Sequence, residues 1–201
     1  MNKNVLLVLL GLSLLSVPAA ARRHRGEVTP EGAPAAPGLP PADDVARFLA
    51  GMPLPKNSPL TPLTQDPAWQ QHSAYFEQAF TKLNLKQLDK LHTFQNTYLR
   101  ESTESVPVAY YMFSGPDFLY VDQFFPRASV YIMCGKESMG PPPDPFRIQN
   151  LSAAFHNLEN AMHDALTTSY FITKDMKVDL EQQNLSGTLP IIYVLDRKSV
   201  V

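Results

Sequence analysis

Between Val106 and Glu137 the apolar positions fall in short unbroken runs rather than at helical intervals. Val106, Val108, Tyr110, Tyr111, Met112 and Phe113 form a β-branched and aromatic run between Glu104-Ser105 and Ser114-Gly115-Pro116-Asp117, which predicts a strand closed by a turn. Pro116 suits the first turn of a helix, where its missing N–H would have no partner, and Asp117 sets a negative charge against the positive end of the helix dipole. A short helix to about Phe125 then gives way at Pro126 to a second strand, Ala128 to Cys134, closed by Gly135. The order strand, Gly turn, helix, strand is the opening of an α/β fold with a Rossmann-like open sheet.

Upstream the period changes to three and four. Trp69, His72, Phe76, Phe80 and Leu83 follow the helix-start pair Asp66-Pro67 and predict a helix with a buried aromatic face. His72 lies on that face and reads as a satisfied core or boundary residue. Asn84 with Gln87 resembles a capping box for a second helix carrying Leu88, Leu91, Phe94 and Tyr98, so a helical hairpin is expected ahead of the sheet.

Downstream, Met139 to Pro145 is a Pro-rich loop that would wall or cover a pocket at the strand ends. Asn150 caps a long helix whose stripe is Leu151, Phe155, Leu158, Met162, Leu166 and Tyr170. A shorter helix from about Lys174 leads to Gly187, and Leu189 to Leu195 reads as a third strand buried on both faces. The expected α/β domain covers 65–201. Its last strand would leave an apolar face and an edge uncovered, so it is expected to be incomplete at the C-terminus.

Residues 1–21 have a different character. Lys3 precedes thirteen residues, Val5 to Val17, that are apolar apart from Gly11 and two serines, and Pro18-Ala19-Ala20-Ala21 follows. This is the pattern of a secretory signal peptide cleaved after Ala21, and the run is too short to span a bilayer. An exported protein, periplasmic or extracellular and without stable membrane insertion after cleavage, is expected. Residues 22–64 form a linker or strap, since ten of the nineteen prolines lie between Pro30 and Pro67. Within it Asp43 to Gly51 has the cap, stripe and terminal Gly of a short docking helix.

Composition narrows the chemistry. Without residues 1–21 the formal charge is 16 − 19 = −3, so no basic surface for nucleic acid is expected. Cys134 is the single cysteine and reads as a small buried hydrophobe. His156, Glu159 and His163 suggest zinc, but two histidines seven positions apart on a helix stand roughly 10 Å apart, too far for one tetrahedral ion without a ligand from elsewhere, so the three read as a solvated face. Asp122 reads as a solvent or helix-end residue. No cofactor is implied by a motif.

If the two strands run in parallel, Ser114, Gly115, Asp117 and Glu137 gather at one rim. Glu137 lies 22 positions after Gly115, about where dinucleotide-binding units carry an acidic residue. The turn has one Gly rather than three, and Asp117 would repel a phosphate, so a pyrophosphate cradle is not expected. Three readings follow: a noncatalytic binding or structural module for a hydroxylated or cationic small ligand, a methyltransferase-like enzyme using a nucleotide cofactor, and a hydrolase with Ser114 as nucleophile. The last lacks G-x-S-x-G. The oligomeric state is left open.

FLAG at Phe48 to Gly51, SPLTPL at Ser58 to Leu63, PAWQQH at Pro67 to His72 and FSGPDFLYVDQFFP at Phe113 to Pro126 resemble an uncharacterised family of exported bacterial proteins. The resemblance covers most of the chain after Ala21 and implies longer relatives with no established activity, so it assigns no catalytic residue. This chain departs from the family pattern at Lys136 and Ser138, where an aliphatic residue and Pro are expected.

Overall fold

Residues 38–112, 118–133, 138–168 and 185–198 are described by the computed structural model. The first helix, α1 (Ala42–Leu49), is the short helix expected in the Pro-rich strap. It turns Val45, Ala46, Phe48 and Leu49 inward. Phe48 and Leu49 are fully buried, so this part of the strap belongs to the core.

Asp66 opens α2 (Pro67–Leu83) by accepting from Ala68 N at 2.8 Å, with Pro67 at the first helical position. His72, Phe76, Phe80 and Leu83 form its buried face. The expected hairpin does not follow. Asn84 has helical angles (φ −55°, ψ −55°) and the chain passes through a π turn, Asn84–Leu88, into α3 (Asp89–Phe94). A second π turn, Gln95–Leu99, leads into α4 (Arg100–Thr103). The reason lies in the spacing of buried residues. Leu83 and Leu88 are both buried but five positions apart, and the extra residue of a π turn keeps Leu88 on the core side where an α-helix would rotate it away.

Strands β1 (Val108–Tyr111) and β2 (Val130–Met133) pair in parallel, with Val108 opposite Val130 and Tyr111 opposite Met133. Helix α5 (Phe118–Phe124) lies between them in sequence. Strand alternation gives the sheet two unlike faces. Ala109 and Tyr131 are buried, whereas Tyr110 is 69% and Val130 39% exposed. One face of this small sheet is therefore open to solvent.

Helix α6 (Leu151–Thr168) matches its apolar stripe, with Phe155, Leu158, Met162 and Leu166 buried. Asn150 caps it by accepting from Ala153 N at 3.0 Å; Tyr170 and the helix expected from Lys174 lie outside the described residues. The expected third strand is instead helix α7 (Leu189–Lys198). Ile192 N donates to Thr188 O at 3.1 Å, Pro190 sits in the first turn, and Arg197 and Lys198 occupy the last turn, where cations suit the dipole. Seven consecutive apolar residues carry no period that separates strand from helix, and Leu189, Ile191, Ile192, Val194 and Leu195 are buried in either case.

The described residues are thus mixed α/β, mostly helical, with a two-stranded parallel sheet. The core joins α1, α2, α6 and α7, with α2 packed on α6 and α1 on α7. Among the described residues no helix is long and apolar enough to cross a membrane.

Candidate functional site

The parallel register fixes one relationship directly. Tyr111 and Met133 are opposite one another at the carboxyl ends of β1 and β2, so both strands deliver the chain to the same rim. Ser114, Gly115 and Asp117 follow Tyr111, and Glu137 follows Met133; all four, and Cys134, lie outside the described residues. Beneath the rim α5 packs on the sheet, Phe118 meeting the Tyr131 ring edge-on at 5.2 Å. Asp122 stands in the last turn of α5, a helix-end residue as one of its two readings had it, but it is not at the surface. It is 1% exposed, with the Tyr131 hydroxyl 3.2 Å from its Oδ1 and 2.7 Å from Phe125 O.

The loop after β2 is anchored rather than free. Thr188 N donates to Ser138 O at 3.3 Å and Leu189 N to Met139 O at 3.0 Å, so the loop carbonyls satisfy amide groups at the start of α7 that no helical turn can reach. Gly140 and Gly187 make that crossing possible: a Cβ on Gly140 would stand 2.0 Å from Ser186 O. The N-terminus of α7 is thereby tied to the chain five residues past Met133.

At the opposite, amino end of the sheet there is a polar cleft of about 180 Å³. Gln95, Asn96, Arg100 and Thr103 line it from the second π turn and α4, and Glu104 and Arg127 line it from the segments that lead into β1 and β2. Arg127 Nη1 pairs with Glu104 Oε1, tying those two segments together. A neighbouring hollow of about 280 Å³ shares Asn96 and Arg100. None of this was legible in the sequence. Arg100 and Arg127 are 27 positions apart, and the expected hairpin would have turned residues 95–99 elsewhere.

A third cluster is structural. Trp69 Nε1 donates to Phe48 O at 3.0 Å and Ser73 Oγ to Gly51 O at 2.6 Å. Between them His72 lies 2.8 Å from Leu49 O through Nε2 and 2.8 Å from Glu159 Oε1 through Nδ1. Its ring stacks on Phe155 with centroids 4.2 Å apart. Three side chains of α2 thus hold carbonyls at the C-terminus of α1, where helical partners run out. His72 is the satisfied core residue expected. Tyr75 sits beside this cluster, and burial and then the Glu159 carboxylate push its phenol up from the usual value.

The zinc reading of α6 finds no support. Glu159 is engaged by His72, while His156 and His163 are exposed. Among the described residues no group of three or more His, Cys, Asp or Glu side chains is placed to hold a metal ion. No protein-family model, curated protein or solved structure matches the chain.

Proposed function

We propose that the chain is an exported, small-ligand-binding or structural module of Rossmann-like order whose site lies at the carboxyl rim of β1 and β2. Ser114, Gly115, Asp117 and Glu137 are its proposed ligand-facing residues. The observation that carries the reading is the parallel pairing of Tyr111 with Met133, because open α/β sheets take ligands outside the carboxyl ends of neighbouring strands. Two carboxylates and a hydroxyl suit a hydroxylated or cationic ligand: the carboxylates accept hydrogen bonds and attract positive charge, and Ser114 both donates and accepts.

Export is supported by the leader pattern of residues 1–21 and by the resemblance carried on FSGPDFLY. The same strand order would suit a methyltransferase-like enzyme, and the leader weighs against it because nucleotide cofactors are scarce outside the cytoplasm. A hydrolase built on Ser114 would need a base other than His72, whose two ring nitrogens are already held.

A thermal-shift screen of polyols and small amines, run on wild type beside Asp117→Ala, tests the proposal. A ligand at 100 times its Kd adds about 2.7 kcal/mol of stability. The proposal expects that gain in wild type and its loss in the variant. Equal stabilisation of both proteins would place the ligand elsewhere and overturn it.

A further inference from the structure

We propose that the cleft at the amino end of the sheet is a separate binding site for a small oxyanion, a carboxylate or phosphate group, with Arg100 and Arg127 as its cationic walls. It stands apart from the carboxyl-rim reading and shares no residue with it.

Charge is the first argument. The chain as a whole carries −2, yet this cleft gathers two guanidinium groups against the single carboxylate of Glu104. Arg127 is engaged with Glu104 through Nη1. A guanidinium has five N–H donors, so that pairing leaves donors for a ligand. Among the described residues Arg100 makes no ion pair. A planar fork of this kind suits the paired oxygens of a carboxylate or phosphate.

The second argument is preorganisation. Gln95 is buried and its Nε2 donates to Thr103 Oγ1 at 3.1 Å, while that hydroxyl donates to Leu99 O at 2.9 Å. This chain of bonds spans the π turn Gln95–Leu99 and fixes the wall that carries Asn96 and Arg100. A π turn inside a helix is an uncommon conformation that recurs at functional sites. Here it turns Asn96 and Arg100 into both hollows at once.

Size is the third. At roughly 30 Å³ per water in the liquid, a cleft of about 180 Å³ has the room of about six waters, enough for a phosphate or a short carboxylate. The adjoining hollow of about 280 Å³ would take the rest of a larger ligand, beside the exposed ring of Tyr98; Glu101 also lines it, so the part seated there would be neutral or cationic and the anionic group would stay in the first cleft.

The test is a titration of the isotopically labelled full chain with inorganic phosphate and, separately, with succinate, followed by amide NMR shifts at constant ionic strength. Four proteins are compared: wild type, Arg100→Gln, Glu104→Gln and, as a distant loss of one charge, Lys82→Gln. Saturable shifts at residues 95–104 are expected with at least one anion. Binding should weaken about tenfold in Arg100→Gln, the loss of one charge-assisted contact, tighten in Glu104→Gln and stay unchanged in Lys82→Gln. Binding of phosphate alone identifies a phosphate group as the ligand, and binding of succinate alone a carboxylate. No saturable shift with either anion overturns the proposal, as does equal weakening in Lys82→Gln and Arg100→Gln.

Discussion

His72 Nε2 lies 2.8 Å from Leu49 O, so a side chain of α2 caps a carbonyl at the C-terminal end of α1. The carbonyl can only accept, which puts a hydrogen on Nε2. Nδ1 faces Glu159 Oε1 at 2.8 Å, and one proton must lie between them. The pairing joins α1, α2 and α6 through one ring whose side chain is 0% exposed. It also explains why PAWQQH and FLAG meet: Trp69 and His72, with Ser73 just after, reach Phe48, Leu49 and Gly51.

Replacement of His72 by Phe keeps the stacking on Phe155 but leaves Leu49 O and the Glu159 carboxylate without their donor. Urea denaturation should show a loss of about 2–4 kcal/mol. Glu159→Gln should cost less, about 1 kcal/mol, since an amide N–H can donate to Nδ1 of a neutral ring that still donates through Nε2. A larger loss for Glu159→Gln than for His72→Phe would contradict this geometry.

Gly51 has φ +62°, and a Cβ there would meet Ser73 Cα at 2.6 Å. Its substitution combines a left-handed backbone with a clash against the backbone of α2. Gly51→Ala is expected to cost about 3 kcal/mol or more, whereas Gly38→Ala, with φ +94° and no atom near, should cost about 1 kcal/mol. Similar midpoints for the two variants in urea would refute the close approach.

Alkaline titration should reveal two late phenols. Tyr75 is raised by burial and then by Glu159, and Tyr193 by burial and then by Asp196, both from 10.0. A folded-state value above the unfolded one favours the protonated form in the folded protein. The corresponding stability is present below pH 10 and lost as pH rises through the folded values. Lys198 opposes this in part, because burial lowers its ammonium despite the counteracting charge of Glu77. Tyrosinate absorbance from these two side chains should rise later than from ordinary phenols, and Tyr193→Phe should flatten the fall in stability above pH 10. A single titration step for all tyrosines would contradict the assignment.

Much of this arrangement was legible in the sequence where side chains of one kind recur at a clear period. Leu151, Phe155, Leu158 and Met162 marked α6, and the two β-branched runs marked β1 and β2 with their α-helical crossover. Leu189 to Leu195 was not legible by period because every position is apolar, although Pro190 and the basic pair Arg197-Lys198 carried helix-end information. Asn84 and Gln87 imitated a capping box, while the five-residue step from Leu83 to Leu88 held the better clue to a π turn. Of the candidate site, the parallel rim was legible from strand order and the amino-end cleft was not, because tertiary packing alone brings Arg100 and Arg127 together.

Whether Ser114 and Glu137 share one rim can be measured by crosslinking Ser114→Cys with Glu137→Cys in a Cys134→Ser background, using a short dimaleimide on the folded protein. Val108→Cys with Val130→Cys, register neighbours in the parallel pair, serves as the positive control. A shared rim predicts efficient intramolecular crosslinking of both pairs. Crosslinking of the control alone would put the two residues apart and remove the proposed ligand site.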